Sequence, residues 1–123
     1  MATRSLVSIV DDDESVRESL PDLLRELGFA VEAFASAEAF LESDCIGRTR
    51  CLLLDIAMPG MKGPDLQREL TLRRHEIPIV YITACRDDAV RPQLLEDGAV
   101  ECLFKPFSDT ALRDALDSAL SAS

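Results

Sequence analysis

Residues 51–60 read CLLLDIAMPG, an apolar run that closes on Asp55 and leads into a loop with proline and glycine. A short, continuous run of apolar residues is typical of a strand in a parallel sheet that is buried on both faces. A carboxylate at the end of such a strand is costly unless a charged group meets it. Asp55 therefore indicates both a buried strand and a polar site at the carboxyl end of that strand.

Three further apolar runs end in polar residues in the same way. These residues are Asp11 and Asp12 after the first run, Thr83 after the fourth and Lys105 after the fifth. The carboxyl ends of parallel strands lie at one edge of a sheet, which is where ligands bind in open α/β folds. The pattern predicts that acids, a hydroxyl and an amine converge at that edge.

The apolar runs alternate with helical periods along the chain. Strands are predicted near residues 5–10, 30–34, 51–55, 77–82 and 100–104, and helices near residues 14–27, 36–43, 64–74, 86–97 and 108–121. This alternation is typical of an α/β fold, a doubly wound (βα)5 sheet with five parallel strands and helices on both faces. Pro21, inside the first helix, predicts a kink or an irregular turn there.

Length and charge set limits on the function. The 123 residues are enough for one domain, spanning 1–123, with a normal core. A net charge of −10 disfavours nucleic-acid binding by this segment itself, because Lys and Arg carry such binding, and it suits cations or a basic partner face. No apolar stretch has the length of a membrane span, and the N-terminus has no apolar signal-peptide core, so we expect a cytoplasmic protein.

The four cysteines, Cys45, Cys51, Cys85 and Cys102, form no Cys-x-x-Cys pair, and the chain has one histidine. This composition disfavours a zinc site. Three of the four lie in or beside apolar strands, and we interpret them as small buried residues in a reducing compartment.

Asp11, Asp12 and Asp55 place three carboxylates at one predicted edge. Two charges about 4 Å apart repel by roughly 4 kcal/mol at an effective dielectric near 20. Such a cluster is stable with a divalent cation, a protonated acid or a nearby lysine. Oxygen ligands without histidine or cysteine favour Mg²⁺, or Mn²⁺, over zinc.

Each polar residue also has a structural interpretation. The acids at 11–14 could cap the first helix, most simply through the last of them, and Asp55 could be a turn residue before the Pro-Gly pair. Thr83 could cap the fourth helix, and Lys105 could be a surface lysine. Four polar strand ends at one edge nevertheless favour a site over four separate structural roles.

Four motifs occur in a fixed order: residues 10–13 read VDDD, 54–63 LDIAMPGMKG, 82–84 ITA and 104–107 FKPF. In this order and spacing they resemble the receiver domain of bacterial two-component response regulators, a CheY-like domain, over essentially the whole chain. The opening DDDESVR and the loop MPGMKG are most similar to the FixJ-type branch of that family. The resemblance implies a flavodoxin-like strand order of 2-1-3-4-5.

The resemblance also implies a phosphorylation switch. Asp55 would accept a phosphoryl group from the phosphohistidine of a sensor histidine kinase. Asp11 and Asp12 would hold Mg²⁺ together with Asp55 and the backbone carbonyl of Ala57. The chemistry would be phosphoryl transfer by positioning and by the charge of the cation.

Two further site residues follow from the same resemblance. Lys105 would pair with the phosphoryl oxygens, and Thr83 would donate its hydroxyl to them once they are present. Ala84, small as in the family, would leave room for the incoming group. The domain would be a phosphoacceptor rather than an enzyme, with only self-phosphorylation and autodephosphorylation of its own.

One position departs from the family, whose members usually carry Tyr or Phe three residues before the lysine. Here that residue is Cys102, with Phe104 on the same side of the strand. Our hypothesis is that the Thr83 hydroxyl still moves while the aromatic half of the switch is weak or absent. Cys85 lies where the family tunes autodephosphorylation.

The resemblance also implies what the phosphorylated domain controls. FixJ-type receivers commonly precede a DNA-binding domain, so we expect a truncated part of a longer transcriptional regulator that contacts DNA only through an output domain absent from this chain. A phosphorylation-dependent homodimer is expected, through helix one or through the face of helix four, strand five and helix five. A free-standing receiver is left open.

Three other functions fit the sequence less well. A phosphohydrolase with an aspartyl-phosphate intermediate usually carries a second acid two residues after the nucleophile, where this chain has Ala57. A flavin- or nucleotide-binding module needs a glycine-rich phosphate loop after the first strand, where this chain has acids. A degenerate receiver that only docks partners is disfavoured by the presence of all the site residues.

Overall fold

The apolar runs form five parallel strands in a computed structural model of the chain, which describes residues 4–84 and 89–121. The strands are β1 (Leu6–Val10), β2 (Ala30–Phe34), β3 (Thr49–Asp55), β4 (Ile79–Thr83) and β5 (Glu101–Phe104). They lie in the order β2-β1-β3-β4-β5, and each neighbouring pair is parallel. The predicted α/β class and the strand order 2-1-3-4-5 are confirmed.

Helices connect the strands and cover both faces of the sheet. They are α1 (Glu14–Glu26), α2 (Ala37–Glu42), α3 (Gly63–Leu72), α4 (Val90–Glu96) and α5 (Asp109–Ser121). The start of the predicted fourth helix and Cys85 lie outside the described residues. α1 continues without interruption through the buried Pro21, so no irregular turn occurs there, and the alternative of a kink stays a prediction. Among the described residues, no helix has the length and apolar character needed to cross a membrane.

The sheet separates two apolar layers. Val7, Ile9 and Leu53 pack in the layer beneath α1 and α5. Leu52 and Leu54 pack in the opposite layer with α2, α3 and α4. All five are fully buried, which explains why the central strands read as continuous apolar runs.

The cysteines that the structure describes behave as small core residues. Cys45, Cys51 and Cys102 are buried free thiols. Burial raises the pKa of Cys51 to about 12, so that thiol stays protonated at neutral pH. The predicted burial of the strand cysteines is therefore confirmed for Cys51 and Cys102.

Three helices end in the same type of turn, with positive φ at the residue after the C-cap. That residue is Gly28 after α1 and Gly98 after α4, but Arg74, at φ 62°, after α3. The turn after α3 is closed by the amide of His75, which donates to the carbonyl of Leu70 at 2.9 Å. The left-handed conformation is natural for glycine and unfavourable for a residue with a Cβ.

Replacing Arg74 with glycine is therefore expected to stabilise the domain, by about 0.5–1 kcal/mol. Arg73→Gly is the matched control, since Arg73 has φ −84° and its Nε donates to Glu69 at 2.9 Å. That control should lower the free energy of unfolding. Urea unfolding of both variants measures the difference, and the same sign in both would contradict the assigned turn.

Candidate functional site

Three carboxylates meet where β1 and β3 end side by side. Asp11 follows β1 directly, Asp12 comes next, and Asp55 is the last residue of β3. Each offers one oxygen, and these oxygens all lie within 4.8 Å of one another. Asp11 is fully buried, Asp55 is 7 % exposed, and Asp12 faces solvent. The cluster lies between β1 and β3, at the point where the strand order reverses and where such sheets bind ligands.

Three hydrogen bonds hold Asp11 in place, two to its carboxylate and one to its backbone carbonyl. Its Oδ2 accepts from Lys105 Nζ at 2.9 Å, and its Oδ1 accepts from the amide of Asp13 at 2.9 Å. The guanidinium of Arg17 donates to its backbone carbonyl, also at 2.9 Å. A fully buried carboxylate is tolerable because an ammonium and a backbone amide replace its hydration. Arg17, which the sequence did not single out as a site residue, fixes the end of β1.

Lys105 and Thr83 are brought together at the ends of β4 and β5. The amide of Lys105 donates to the carbonyl of Thr83 at 2.8 Å, and the Lys105 side chain is 22 % exposed. Thr83 is buried and is the last residue of β4. The start of the predicted fourth helix lies outside the described residues, so the helix-capping interpretation of Thr83 stays a prediction.

Asp55 carries the strongest electrostatic perturbation of the site. Burial, and then the charge of Asp11, raise the pKa of the Asp55 carboxyl to about 7. The charge of Lys105 opposes this rise, while a hydrogen bond and the charge of Asp12 add to it. The charge of Lys105 therefore offsets only part of the repulsion among the three carboxylates. Oxygen donors in this arrangement suit a hard divalent cation.

Asp13 does not share in this cluster. Its Oδ1 accepts from the amide of Ser15 at 2.9 Å and from the Ser15 hydroxyl at 2.8 Å, which makes it the N-cap of α1. The hydrogen bond from the Ser15 side chain lowers the pKa of the Asp13 carboxyl. The run of acids after β1 thus divides between a helix cap and a site, and the cap is Asp13 rather than Glu14, the last acid of the run.

Gly63 is a structural requirement of the site that sequence reasoning missed. It is the first residue of α3, and its amide donates to the carbonyl of Ile56 at 3.0 Å. A Cβ at this position would lie 2.5 Å from the backbone oxygen of Asp55 and 2.9 Å from Cε1 of Tyr81. The final glycine of MPGMKG was the signal, because a backbone approach this close admits only glycine.

Gly63→Ala is therefore expected to lower the free energy of unfolding by about 2–3 kcal/mol through overpacking against backbone. Gly47→Ala is the control, since nothing lies within 4 Å of a Cβ there. Thermal unfolding of both variants measures the effect. A Gly63→Ala variant as stable as Gly47→Ala would contradict the close approach of α3 to β3.

The proposed switch positions lie on the face of β5 that packs in the layer with α4. Cys102 is buried, and Phe104 is partly buried against the same layer. Phe104 is paired with Thr83 across the strands. Ala57 lies in the loop after β3 with its side chain exposed.

This doubly wound sheet, with acids at its central carboxyl edge, is the architecture of the CheY-like signalling domains. The chain belongs to the response regulator receiver domain family, whose sequence model matches residues 7–117. It is thus a receiver domain of two-component response regulators, and the family implies phosphorylation on an aspartate.

Three comparisons indicate the branch. The chain is 42 % identical over 118 residues to nodulation protein W of Bradyrhizobium diazoefficiens, covering 96 % of the chain and 52 % of that protein. It is 41 % identical over 113 residues to the transcriptional regulatory protein FixJ of Rhizobium meliloti, covering 92 % and 55 %. The crystal structure of FixJ-N superimposes with a TM-score of 0.86 and 38 % identity, covering 100 % of this chain and 98 % of that one. The chain spans about half the length of the curated relatives it matches.

Proposed function

We propose that Asp55 is the residue that accepts the phosphoryl group, and that the donor is the phosphohistidine of a sensor histidine kinase. The observation that carries the proposal is the buried Asp55 carboxyl at the end of β3, flanked by Asp11 and Lys105. A carboxylate oxygen of Asp55 attacks phosphorus, the phosphorus–nitrogen bond breaks, and the imidazole nitrogen leaves with the electron pair. The receiver domain supplies the residues for its own phosphorylation, and water later hydrolyses the aspartyl phosphate.

Asp11, Asp12 and Asp55, with the backbone carbonyl of Ala57, would hold Mg²⁺, or Mn²⁺, at this edge. The ion supplies positive charge that offsets the charge on the phosphoryl oxygens during transfer. The fit rests on three carboxylate oxygens within 4.8 Å and on the raised pKa of Asp55, both of which favour a cation in the cluster.

Lys105 and Thr83 act on the phosphorylated state. The Lys105 ammonium, bonded to Asp11 at 2.9 Å, turns to the phosphoryl oxygens, and the Thr83 hydroxyl donates to them. One hydrogen bond to a charged group is worth about 1.5–3 kcal/mol. Moving a population from 1:99 to 99:1 needs about 5.5 kcal/mol. Thr83 alone is therefore insufficient, and Lys105, the loops after β3 and β4, and dimerisation add the rest.

The output we propose is a phosphorylation-dependent homodimer that controls transcription. Support comes from the similarity to FixJ, a transcriptional regulatory protein, and from a chain that covers about half of such relatives. DNA contact then belongs to an output domain outside residues 1–123, and the regulator acts in the cytoplasm. The net charge of −10 agrees with a receiver that leaves DNA to another domain.

Incubation with acetyl phosphate and MgCl₂ tests the chemistry, with intact mass and oligomeric state read together. A gain of about 80 Da is expected in the parent chain and in Asp114→Asn, a control at an exposed acid of α5, and none in Asp55→Asn. A parent chain that gains no mass would favour the docking-only receiver. A gain that persists in Asp55→Asn would place the acceptor elsewhere.

A further inference from the structure

Tyr81 is a large aromatic residue at the centre of β4 whose role the proposed phosphoryl chemistry does not explain. It is completely buried and packs in the layer beneath α3 and α4. Its partner across the strands is Cys102, whose small side chain lies on the same face of the sheet. The aromatic ring of Tyr81 on β4 therefore lies in this layer next to Cys102 on β5, which has no ring.

The Tyr81 hydroxyl begins a hydrogen-bonded chain that reaches the end of α4. It donates to Oε1 of Gln67 at 2.6 Å, and Nε2 of the same Gln67 donates to the backbone carbonyl of Asp97 at 3.0 Å. Asp97 is the C-cap of α4. Burial raises the pKa of Tyr81, so the hydroxyl remains a donor over the whole physiological range. One side chain on α3 thus joins the centre of β4 to the end of α4.

Gly63 is close both to the Tyr81 ring and to the backbone of the acceptor strand. The ideal Cβ position at Gly63 lies 2.9 Å from Cε1 of Tyr81 and 2.5 Å from the backbone oxygen of Asp55. Thr83 lies two residues further along β4, on the same face as Tyr81. Packed interiors transmit displacement because they have no free volume to absorb it. We therefore expect a shift at the Asp55 or Thr83 strand end to displace this ring.

We propose that Tyr81 and Gln67 are positioning residues that couple the phosphorylation state of Asp55 to the C-terminal end of α4. The proposal rests on the proposed function of Asp55 as phosphoacceptor. Cys102 led us to expect a switch whose aromatic half is weak or absent. The proposal revises this expectation, because β4 supplies an aromatic ring, Tyr81, that a hydrogen bond holds in place. The coupling is read at the turn after α4, where the amides of Gly98 and Ala99 donate to the carbonyls of Leu95 and Leu94.

Hydrogen exchange of the Gly98 and Ala99 amides, measured by NMR with and without beryllofluoride and MgCl₂, tests the coupling. In the parent chain we expect the exchange rates to change at least fivefold on addition. In Tyr81→Phe, which keeps the ring, and in Gln67→Met, which keeps the chain length, we expect the change to be less than twofold. The rate of mass gain from acetyl phosphate should stay within twofold of the parent in both variants.

Thr49→Val is the matched control, because it removes another buried hydroxyl from the opposite end of the sheet. Thr49 Oγ1 is 2.7 Å from the Ser8 hydroxyl and donates to the carbonyl of Cys45 at 2.8 Å. This variant should lose stability but keep the full response at α4. A fivefold response in Tyr81→Phe, or a parent that gains mass from acetyl phosphate but shows no response to beryllofluoride, would overturn the coupling. A parent that gains no mass would overturn the proposed function, and the coupling with it.

Discussion

Asp55→Asn is expected to stabilise the metal-free domain at pH 8 by about 4 kcal/mol, even though it removes the proposed phosphoacceptor. The reason is the cost of ionising a buried carboxyl beside Asp11 and Asp12. That cost raises the Asp55 pKa from 3.8 to about 7. Asparagine has nearly the same shape and carries no charge, so it keeps the packing and removes the repulsion.

The pH dependence follows from the sign of this shift. A carboxyl whose pKa is raised by folding binds more protons in the native than in the unfolded state between the two values. Its contribution to stability is therefore present at low pH and is lost as the pH rises toward 7. Between pH 5 and pH 8 the loss from Asp55 is about 3 kcal/mol, at 1.36 kcal/mol for each pH unit up to the native pKa. Above that pKa the contribution is constant.

Urea unfolding of the metal-free parent and of Asp55→Asn at pH 5 and at pH 8 measures the effect. The stabilisation by Asp55→Asn should be about 3 kcal/mol larger at pH 8 than at pH 5, while Asp114→Asn should follow the parent. Adding MgCl₂ at pH 8 should stabilise the parent more than Asp55→Asn, because a ligand stabilises the state that binds it. A parent and an Asp55→Asn variant with parallel pH profiles would contradict the raised pKa.

The strands and the edge that carries the site could be predicted from the sequence because their signals are local. Continuous apolar runs that end in Asp11, Asp55 and Lys105 already specify buried parallel strands with polar carboxyl ends. A helix-capping role for one of the acids after β1 could also be predicted, since an acid directly before a helix is a natural N-cap. What these signals share is that each residue's role depends on its neighbours in the chain.

The convergence of the acids and the lysine at one edge could be predicted from the sequence, but the specific hydrogen-bond partners could not. The bond between Lys105 and Asp11 joins residues 94 apart, and the one between Tyr81 and Gln67 joins a strand to a helix. Nothing in the pattern around Tyr81 distinguishes it from an ordinary core aromatic. Only the fold shows that its hydroxyl needs a partner and that its ring lies against Gly63.

Lys105→Met is expected to lower the stability of the metal-free domain by about 2–4 kcal/mol at pH 7.5. Methionine fills a similar volume but leaves Oδ2 of the fully buried Asp11 without the ammonium that lies 2.9 Å from it. The loss stays below that of a fully enclosed pair because the lysine side chain is 22 % exposed. The change also removes the positive charge that opposes the raised pKa of Asp55.

A double-mutant cycle separates the uncompensated charge from the lost packing of the lysine side chain. Because Asp11→Asn removes the buried charge, adding Lys105→Met to that variant should cost far less than adding it to the parent. Lys62→Met, at an exposed lysine, is the control and should cost little. Adding MgCl₂ should recover part of the loss in Lys105→Met, since a cation at the cluster replaces the missing positive charge. If Lys105→Met cost the same with and without Asp11→Asn, the ion pair would not be what holds the two strand ends together, and the lysine would contribute only through packing.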